Sequence, residues 1–124
     1  MSMEQKIIGS GILFLLTIVA GFWLSNAGKP YNTAIFTVHK LIALTAVILT
    51  GIVILNLQKS VRLEIGIILL ITTAILSVLA LFVSGALLSA GSIPYSAGKI
   101  IHIIALITAV VSIGMTIYLM LKRK

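Results

Sequence analysis

The chain has 124 residues, of which 60% are hydrophobic and 9% are charged, and its net charge is +7. A soluble globular domain is about half apolar and about a quarter charged, so this composition excludes an ordinary soluble domain and is typical of a membrane protein. The sequence holds no cysteine, which excludes disulfides, thiol catalysis, thiolate metal sites and covalent c-type haem attachment.

Four long apolar runs follow one another along the chain, and each can cross the ~30 Å hydrocarbon core of a bilayer with about 20 helical residues. We predict transmembrane helices at residues 5–26, 33–57, 62–90 and 97–121. Asn32 and Ser96 have side chains suited to cap the second and fourth helices. We therefore expect an all-α bundle of four transmembrane helices that forms a single domain over residues 1–124.

The basic residues lie at the ends of the predicted helices. Six of the nine lie at one rim and three at the other: Lys6, Lys59, Arg62, Lys122, Arg123 and Lys124 against Lys29, Lys40 and Lys99. The positive-inside rule then predicts a multi-pass protein of the cell membrane with both termini in the cytoplasm. This placement attributes the net positive charge to topology and to anionic lipid headgroups in the bilayer, and excludes nucleic acid as a partner.

The second half of the sequence repeats the first. The matched elements are Gly21 with Gly85, Pro30-Tyr31 with Pro94-Tyr95, and His39 with His102. The two repeats, at residues 5–57 and 62–121, predict two helical hairpins related by a pseudo-two-fold axis along the membrane normal. Duplications of this kind commonly place a ligand at the interface between the repeats.

His39 and His102 are the only two histidines. Each lies about 10 Å along the second helix of its repeat, at 1.5 Å per residue. An ionisable side chain at that depth usually has a functional role. Two imidazoles alone make a poor zinc site, whereas haem iron needs only two axial ligands from the protein. We therefore predict one haem b, held by both histidines between helices two and four near the outer leaflet.

Other residues near that depth form two predicted groups around the haem. Small residues that let a flat macrocycle approach the helices are Gly21, Gly85, Ala46 and Ala109. Residues placed to contact the propionates on the outer side are Lys40, Lys99, Tyr31 and Tyr95. Plainer interpretations stay open, because small residues also serve helix packing and a membrane histidine can serve an interhelical hydrogen bond. The lysines and tyrosines also suit the membrane interface.

The run from His39 to Ala43, His-Lys-Leu-Ile-Ala, resembles the His-Arg-Leu-x-Ala run of haem A synthase. That family has eight spans in two four-helix halves, and the chain resembles one half standing alone. The resemblance implies the fold and haem binding by His39 and His102. Phe36 stands where the family has a glutamate linked to its oxygenation chemistry, and the family's cysteines are absent. Haem A synthesis is therefore not implied.

These features favour a b-type cytochrome that passes single electrons near the outer leaflet, with a quinone or a redox partner protein as candidate partners. A haem-holding or haem-sensing module is a variant of the same prediction. A small transporter is an alternative, although Glu4 and Glu64, the only acids, both lie at the predicted cytoplasmic rim. A structural or assembly subunit without a cofactor is another. Any enzymatic role would be that of a cofactor-based oxidoreductase.

Overall fold

The structure is a computed structural model that describes residues 1–28 and 31–123. Within these residues the chain forms four α-helices and no strand: α1 (Met3–Asn26), α2 (Thr33–Gln58), α3 (Ile65–Ala90) and α4 (Tyr95–Lys122). The helices hold 24 to 28 residues, or about 36 to 42 Å at 1.5 Å per residue. All four are long and apolar enough to cross a membrane. The prediction of an all-α, multi-pass membrane protein is confirmed.

The chain divides into two compact units, Met1–Asn56 and Leu57–Lys124. The first unit holds α1 and nearly all of α2, and the second holds α3 and α4. The division falls close to the boundary predicted between the two sequence repeats. Each unit is a helical hairpin, and the two are described separately below.

In the first hairpin, α1 and α2 lie antiparallel and approach closely at glycines of α1. A Cβ atom added at Gly9 would lie 3.4 Å from Cδ2 of Leu49. Nearer the loop, a Cβ added at Gly21 would lie 3.1 Å from the ring of His39. Without a hydrophobic force between helices in lipid, small residues of this kind allow the close van der Waals packing that holds membrane helices together.

The second hairpin is closely packed beside its connecting turn. A Cβ atom added at Gly98 would lie 2.6 Å from Cδ2 of Leu88 and 2.7 Å from Cδ1 of Ile93, so only glycine fits there without a shift of its neighbours. Gly91 ends α3 with a φ of 70°, the left-handed conformation that favours glycine. At the far end of this hairpin, Arg123 forms an ion pair with Glu64 across the ends of α4 and α3.

The structure corrects three predicted helix starts. The first helix begins at Met3 rather than at residue 5. The third helix begins at Ile65 rather than at residue 62, with Glu64 in the N-cap position. The fourth begins at Tyr95, with Pro94 in the N-cap position, so the prediction that Ser96 caps this helix is wrong. Proline suits the start of a helix because its φ is already set and it has no N–H group to satisfy. Ser96 lies inside the first turn instead.

Two helix starts depend on side-chain caps. Asn32 is confirmed as the cap of α2, since its Oδ1 accepts hydrogen bonds from the backbone N–H groups of Ala34 and Ile35 at 2.9 and 3.1 Å. At α1 the chain forms a capping box that the sequence analysis did not predict. There Ser2 Oγ accepts from the N–H of Gln5 while the Gln5 side chain accepts from the N–H of Ser2.

Most serine and threonine side chains within the helices form hydrogen bonds with the backbone of their own helix. They donate to carbonyl groups three or four residues earlier, as in Thr17 to Leu13, Thr50 to Ala46 and Thr116 to Ser112. Among the described residues, no buried side-chain nitrogen or oxygen lacks a hydrogen-bond partner. Since lipid offers no alternative partner, such back-bonding lets a serine or threonine lie in an apolar span.

Candidate functional site: two histidines, each held within its own hairpin

The His39 imidazole lies half-buried on α2 and is held by α1. Its Nδ1 lies 3.0 Å from the backbone carbonyl oxygen of Thr17. A carbonyl oxygen can only accept a hydrogen bond, so Nδ1 must carry the proton and donate it. In the neutral ring the lone pair then lies on Nε2, which is the form of histidine that can ligate a metal.

The His102 imidazole has an equivalent arrangement in the second hairpin, built from a side chain. Its Nδ1 lies 2.8 Å from Oγ of Ser84 on α3. The Ser84 hydroxyl donates its own proton to the carbonyl oxygen of Leu81, at 3.1 Å. When the hydroxyl proton is on the Leu81 side, Ser84 accepts the hydrogen bond from His102, and in that arrangement Nδ1 is the protonated nitrogen and Nε2 carries the lone pair.

A glycine lies beside each ring. A Cβ atom added at Gly21 would lie 3.1 Å from Cε1 of His39, and one added at Gly85 would lie 3.5 Å from Cε1 of His102. The prediction that each glycine lies at the depth of its histidine is confirmed. The space above each glycine is occupied by the imidazole of the same hairpin. Contact of the two glycines with a macrocycle stays a prediction.

The internal repeat extends to the hydrogen-bond acceptors. With Gly21 matched to Gly85, Thr17 matches Leu81, and each of these two residues lies four positions before its glycine. The Thr17 carbonyl, which accepts a hydrogen bond from His39, is therefore the counterpart of the Leu81 carbonyl, which accepts one from the Ser84 hydroxyl. In the second hairpin, the Ser84 hydroxyl lies between the imidazole and this carbonyl.

The two alanines predicted to contact the haem are fully buried. Ala46 and Ala109 both have an exposed fraction of 0%, and each lies seven residues after its histidine on the same helix. Seven residues make about two turns, so each alanine is on the face of its helix that carries the imidazole. Protein atoms alone cover both alanines in this structure, and their contact with a haem stays a prediction.

The predicted propionate residues lie at or near the N-terminal ends of α2 and α4. Lys99 comes three residues before His102, whereas Lys40 directly follows His39. Lys40 Nζ lies 5.4 Å from the ring centroid of Phe36, and Lys99 Nζ lies 5.8 Å from that of Tyr95. Tyr31 stacks on Phe36, with 6.4 Å between centroids. Each hairpin thus has one lysine ammonium group in a cation–π contact with an aromatic ring four residues earlier on the same helix. Of the predicted outer loop, Lys29 and Pro30 lie outside the described residues, as does Lys124 at the other rim.

The pair formed by Ser84 and His102 also resembles a nucleophile and its base, but its environment does not support hydrolysis. The Ser84 hydroxyl is 3% exposed and already donates to Leu81. The only two acids of the sequence lie at the starts of α1 and α3, where neither can orient the imidazole. Within the described residues, no three His, Cys, Asp or Glu side chains group as a metal cage. The Ser84–His102 pair is therefore not interpreted as a hydrolytic centre.

Three residues of the site were not predicted from the sequence. Thr17 and Leu81 contribute carbonyl groups, which every residue has, so their side chains give no sign of the role. Ser84 differs from them, because the sequence places a polar residue there where the first repeat has Ala20, and the structure shows that it is buried. The need for an acceptor was predictable, since a coordinating imidazole normally donates its second N–H.

Comparisons of the chain with protein-family models, with curated proteins and with solved structures find no match in any of the three.

Proposed function

We propose that the protein is an integral membrane b-type cytochrome that binds one haem b through Nε2 of His39 and Nε2 of His102. The observation that carries this proposal is the matched hydrogen bonding of the two rings. Nδ1 of each ring lies within hydrogen-bond distance of an oxygen of its own hairpin, Thr17 O for His39 and Ser84 Oγ for His102. A ring that donates from Nδ1 to such an oxygen has its lone pair on Nε2.

The donor set fits haem better than a free metal ion. Haem iron takes its four equatorial ligands from the porphyrin, so two imidazoles complete its coordination. A protein-bound zinc ion would need further ligands, and the sequence has no cysteine and only two acids. An axial histidine also needs its other N–H bonded to a fixed acceptor, which orients the ring and increases its electron donation. Each hairpin supplies such an acceptor within its own helices.

The role of the protein residues is to hold the two rings and to keep water away from them. The Thr17 carbonyl and the Ser84 hydroxyl fix the ring orientations, while Gly21 and Gly85 let the rings lie close to the neighbouring helix. A bound haem supplies one-electron oxidation and reduction. With both axial positions taken by histidine, electron transfer is favoured over binding of oxygen. The proposed partners are a membrane quinone and a redox protein at the outer rim.

The placement of the haem in the membrane is part of the proposal. Lys40 and Lys99, each beside an aromatic ring near the start of its helix, are the proposed partners of the propionates, together with Tyr31 and Tyr95. The charge distribution supports cytoplasmic termini in the cell membrane, so this end would face outward. We also propose a relationship to one half of haem A synthase, supported by a histidine in the second helix of each hairpin.

The test is the absorption spectrum of the purified full chain in detergent, expressed with adequate haem supply. We expect a red protein with a sharp reduced α-band. The His39→Gly and His102→Gly variants should lose the low-spin spectrum, and added imidazole should restore it. Thr45→Ala and Thr108→Ala are matched controls, because each removes a hydroxyl six residues after a histidine that bonds only its own helix. These controls should keep the wild-type spectrum.

A wild-type protein that stays colourless, and that is unchanged by added haemin, would refute the proposal. The same holds if both histidine variants keep the wild-type spectrum.

A further inference from the structure

We propose that Ser84 is a positioning residue for His102, and that it makes the two axial histidines of the proposed cytochrome unequal. This inference rests on the proposed function for its effect on haem. Its structural part, the control of the His102 ring by the Ser84 hydroxyl, stands on the hydrogen bonds of the second hairpin alone.

Ser84 forms a relay between the ring and the backbone. The proton on His102 Nδ1 is donated to Ser84 Oγ at 2.8 Å, and the hydroxyl proton is donated to the Leu81 carbonyl at 3.1 Å. Hydrogen bonds in such a chain polarise one another, so a hydroxyl that is itself donating is a better acceptor. The low exposure of Ser84, 3%, keeps water from replacing it.

The first hairpin lacks this relay. Ala20 stands at the position of Ser84, and His39 donates directly to the Thr17 carbonyl at 3.0 Å. The ring also lies closer to its glycine, with a distance from the added Cβ of 3.1 Å at Gly21 against 3.5 Å at Gly85. This difference is in the direction expected if the inserted hydroxyl holds the His102 ring farther from the backbone.

The two rings should therefore respond differently to substitution. The acceptor of His39 is a backbone group, which no side-chain change removes. The acceptor of His102 is a side chain, so a single substitution at Ser84 changes its hydrogen bond while both histidines stay in place. Groups that orient a metal-bound histidine typically contribute about 10- to 100-fold to metal affinity. Ser84 is thus the position in this site where one side chain sets the environment of one axial ligand.

The first experiment needs no haem. The ¹⁵N signals of the imidazole nitrogens, recorded on the full apoprotein in detergent, report which nitrogen carries the proton. We expect Nδ1-protonated rings for both histidines in the wild type. Ser84→Ala should shift the His102 signals and leave those of His39 unchanged. Ser77→Ala is the matched control, because Ser77 is similarly buried on α3 but donates to the Thr73 carbonyl. It should leave both rings unchanged.

The second experiment measures haem affinity by titration with haemin. We expect Ser84→Ala to bind haem about tenfold or more weakly than wild type, Ser77→Ala to match the wild type, and Ser84→Thr, which keeps a hydroxyl, to recover most of the loss. The reduction potential of the bound haem should shift in Ser84→Ala and not in Ser77→Ala.

The outcomes separate the two proposals. If Ser84→Ala leaves both the His102 signals and the haem affinity unchanged, the ring reaches the Leu81 carbonyl without help and the inference is wrong. The inference is also wrong if Ser77→Ala has the same effect as Ser84→Ala. If Ser84→Ala shifts the His102 signals but no form of the protein binds haem, then the proposed function fails while the relay stands.

Discussion

The close approach of His39 to Gly21 leads to a specific prediction for the pair of substitutions Gly21→Ala and Gly85→Ala. These glycines occupy equivalent positions in the two hairpins, yet a new methyl group would meet different distances. At Gly21 it would lie 3.1 Å from His39 Cε1, which is inside normal carbon–carbon contact, and at Gly85 it would lie 3.5 Å from His102 Cε1, which is ordinary contact. The same chemical change should therefore have opposite effects.

The expected magnitudes follow from two opposing contributions. Replacing a helical glycine by alanine gains about 0.5–1 kcal/mol from reduced backbone entropy of the unfolded chain. Overpacking costs about 1–3 kcal/mol when the neighbour cannot relax. The His39 ring cannot move away from α1 without stretching its 3.0 Å bond to Thr17, one turn before Gly21 on the same helix. We expect Gly21→Ala to destabilise the protein by about 1–2 kcal/mol and Gly85→Ala to stabilise it by about 0.5 kcal/mol.

The assay is equilibrium unfolding of the apoprotein in mixed micelles, with helicity followed by circular dichroism. The imidazole ¹⁵N signals give a second measurement, since Gly21→Ala should weaken the hydrogen bond of His39 and leave that of His102 unchanged. If Gly85→Ala is as destabilising as Gly21→Ala, or if Gly21→Ala is neutral with its His39 signals unchanged, then the steric reasoning is refuted.

Three further predictions use the same unfolding assay. Gly98→Ala should destabilise the protein by about 1–3 kcal/mol, because its new Cβ would lie 2.6 Å from a leucine methyl group. Gly114→Ala is the control and should be neutral or stabilising, because its new Cβ would have nothing within 4 Å. Equal effects of the two substitutions would contradict the packing described for the second hairpin. Asn32→Ala should lower the free energy of unfolding by about 1 kcal/mol, because a helix cap is lost. Ser96→Ala should lower it by less than about 0.5 kcal/mol. A larger loss at Ser96 would indicate that this residue caps α4 after all. Glu64→Gln should lower the free energy of unfolding by no more than about 1 kcal/mol, because the side chains of its ion pair are 39% and 56% exposed, and the loss should vanish in high salt. A salt-independent loss would count against this explanation.

The helices could be predicted from the sequence because their lengths are set by the bilayer, and a run of apolar residues from Ile7 to Leu24 admits few other structures. Their starts were less predictable. At α4, Pro94 and Ser96 both suit a helix start, and the choice between them depends on the path of the turn from α3. At α3, Arg62 lies in the turn, and the helix starts only at Ile65. The first residue of each of these two helices depends on local backbone geometry, which cannot be deduced from amino-acid composition.

Part of the site could be predicted for a different reason. The depth of a residue in a membrane helix follows from counting, so His39 and Gly21 were placed at one level from their distances to the helix ends. The acceptor of the His39 proton could not be predicted, because a carbonyl is common to every residue and its choice depends on the register of α1 against α2. Ser84 could have been found by asking why the second repeat departs from Ala20 at a buried position.

The hydrogen bonds also bear on how a protein of two apolar hairpins could prepare a cofactor site. Each ring is oriented by contacts inside its own hairpin, to Thr17 in one and to Ser84 in the other. A hydrogen bond of this kind restrains the orientation of each ring before any cofactor binds. A ligand that binds such rings has less ordering entropy to overcome, which is the usual advantage of a preorganised site. In the proposed cytochrome the repeat would supply both axial ligands, and the difference between Ala20 and Ser84 would distinguish them.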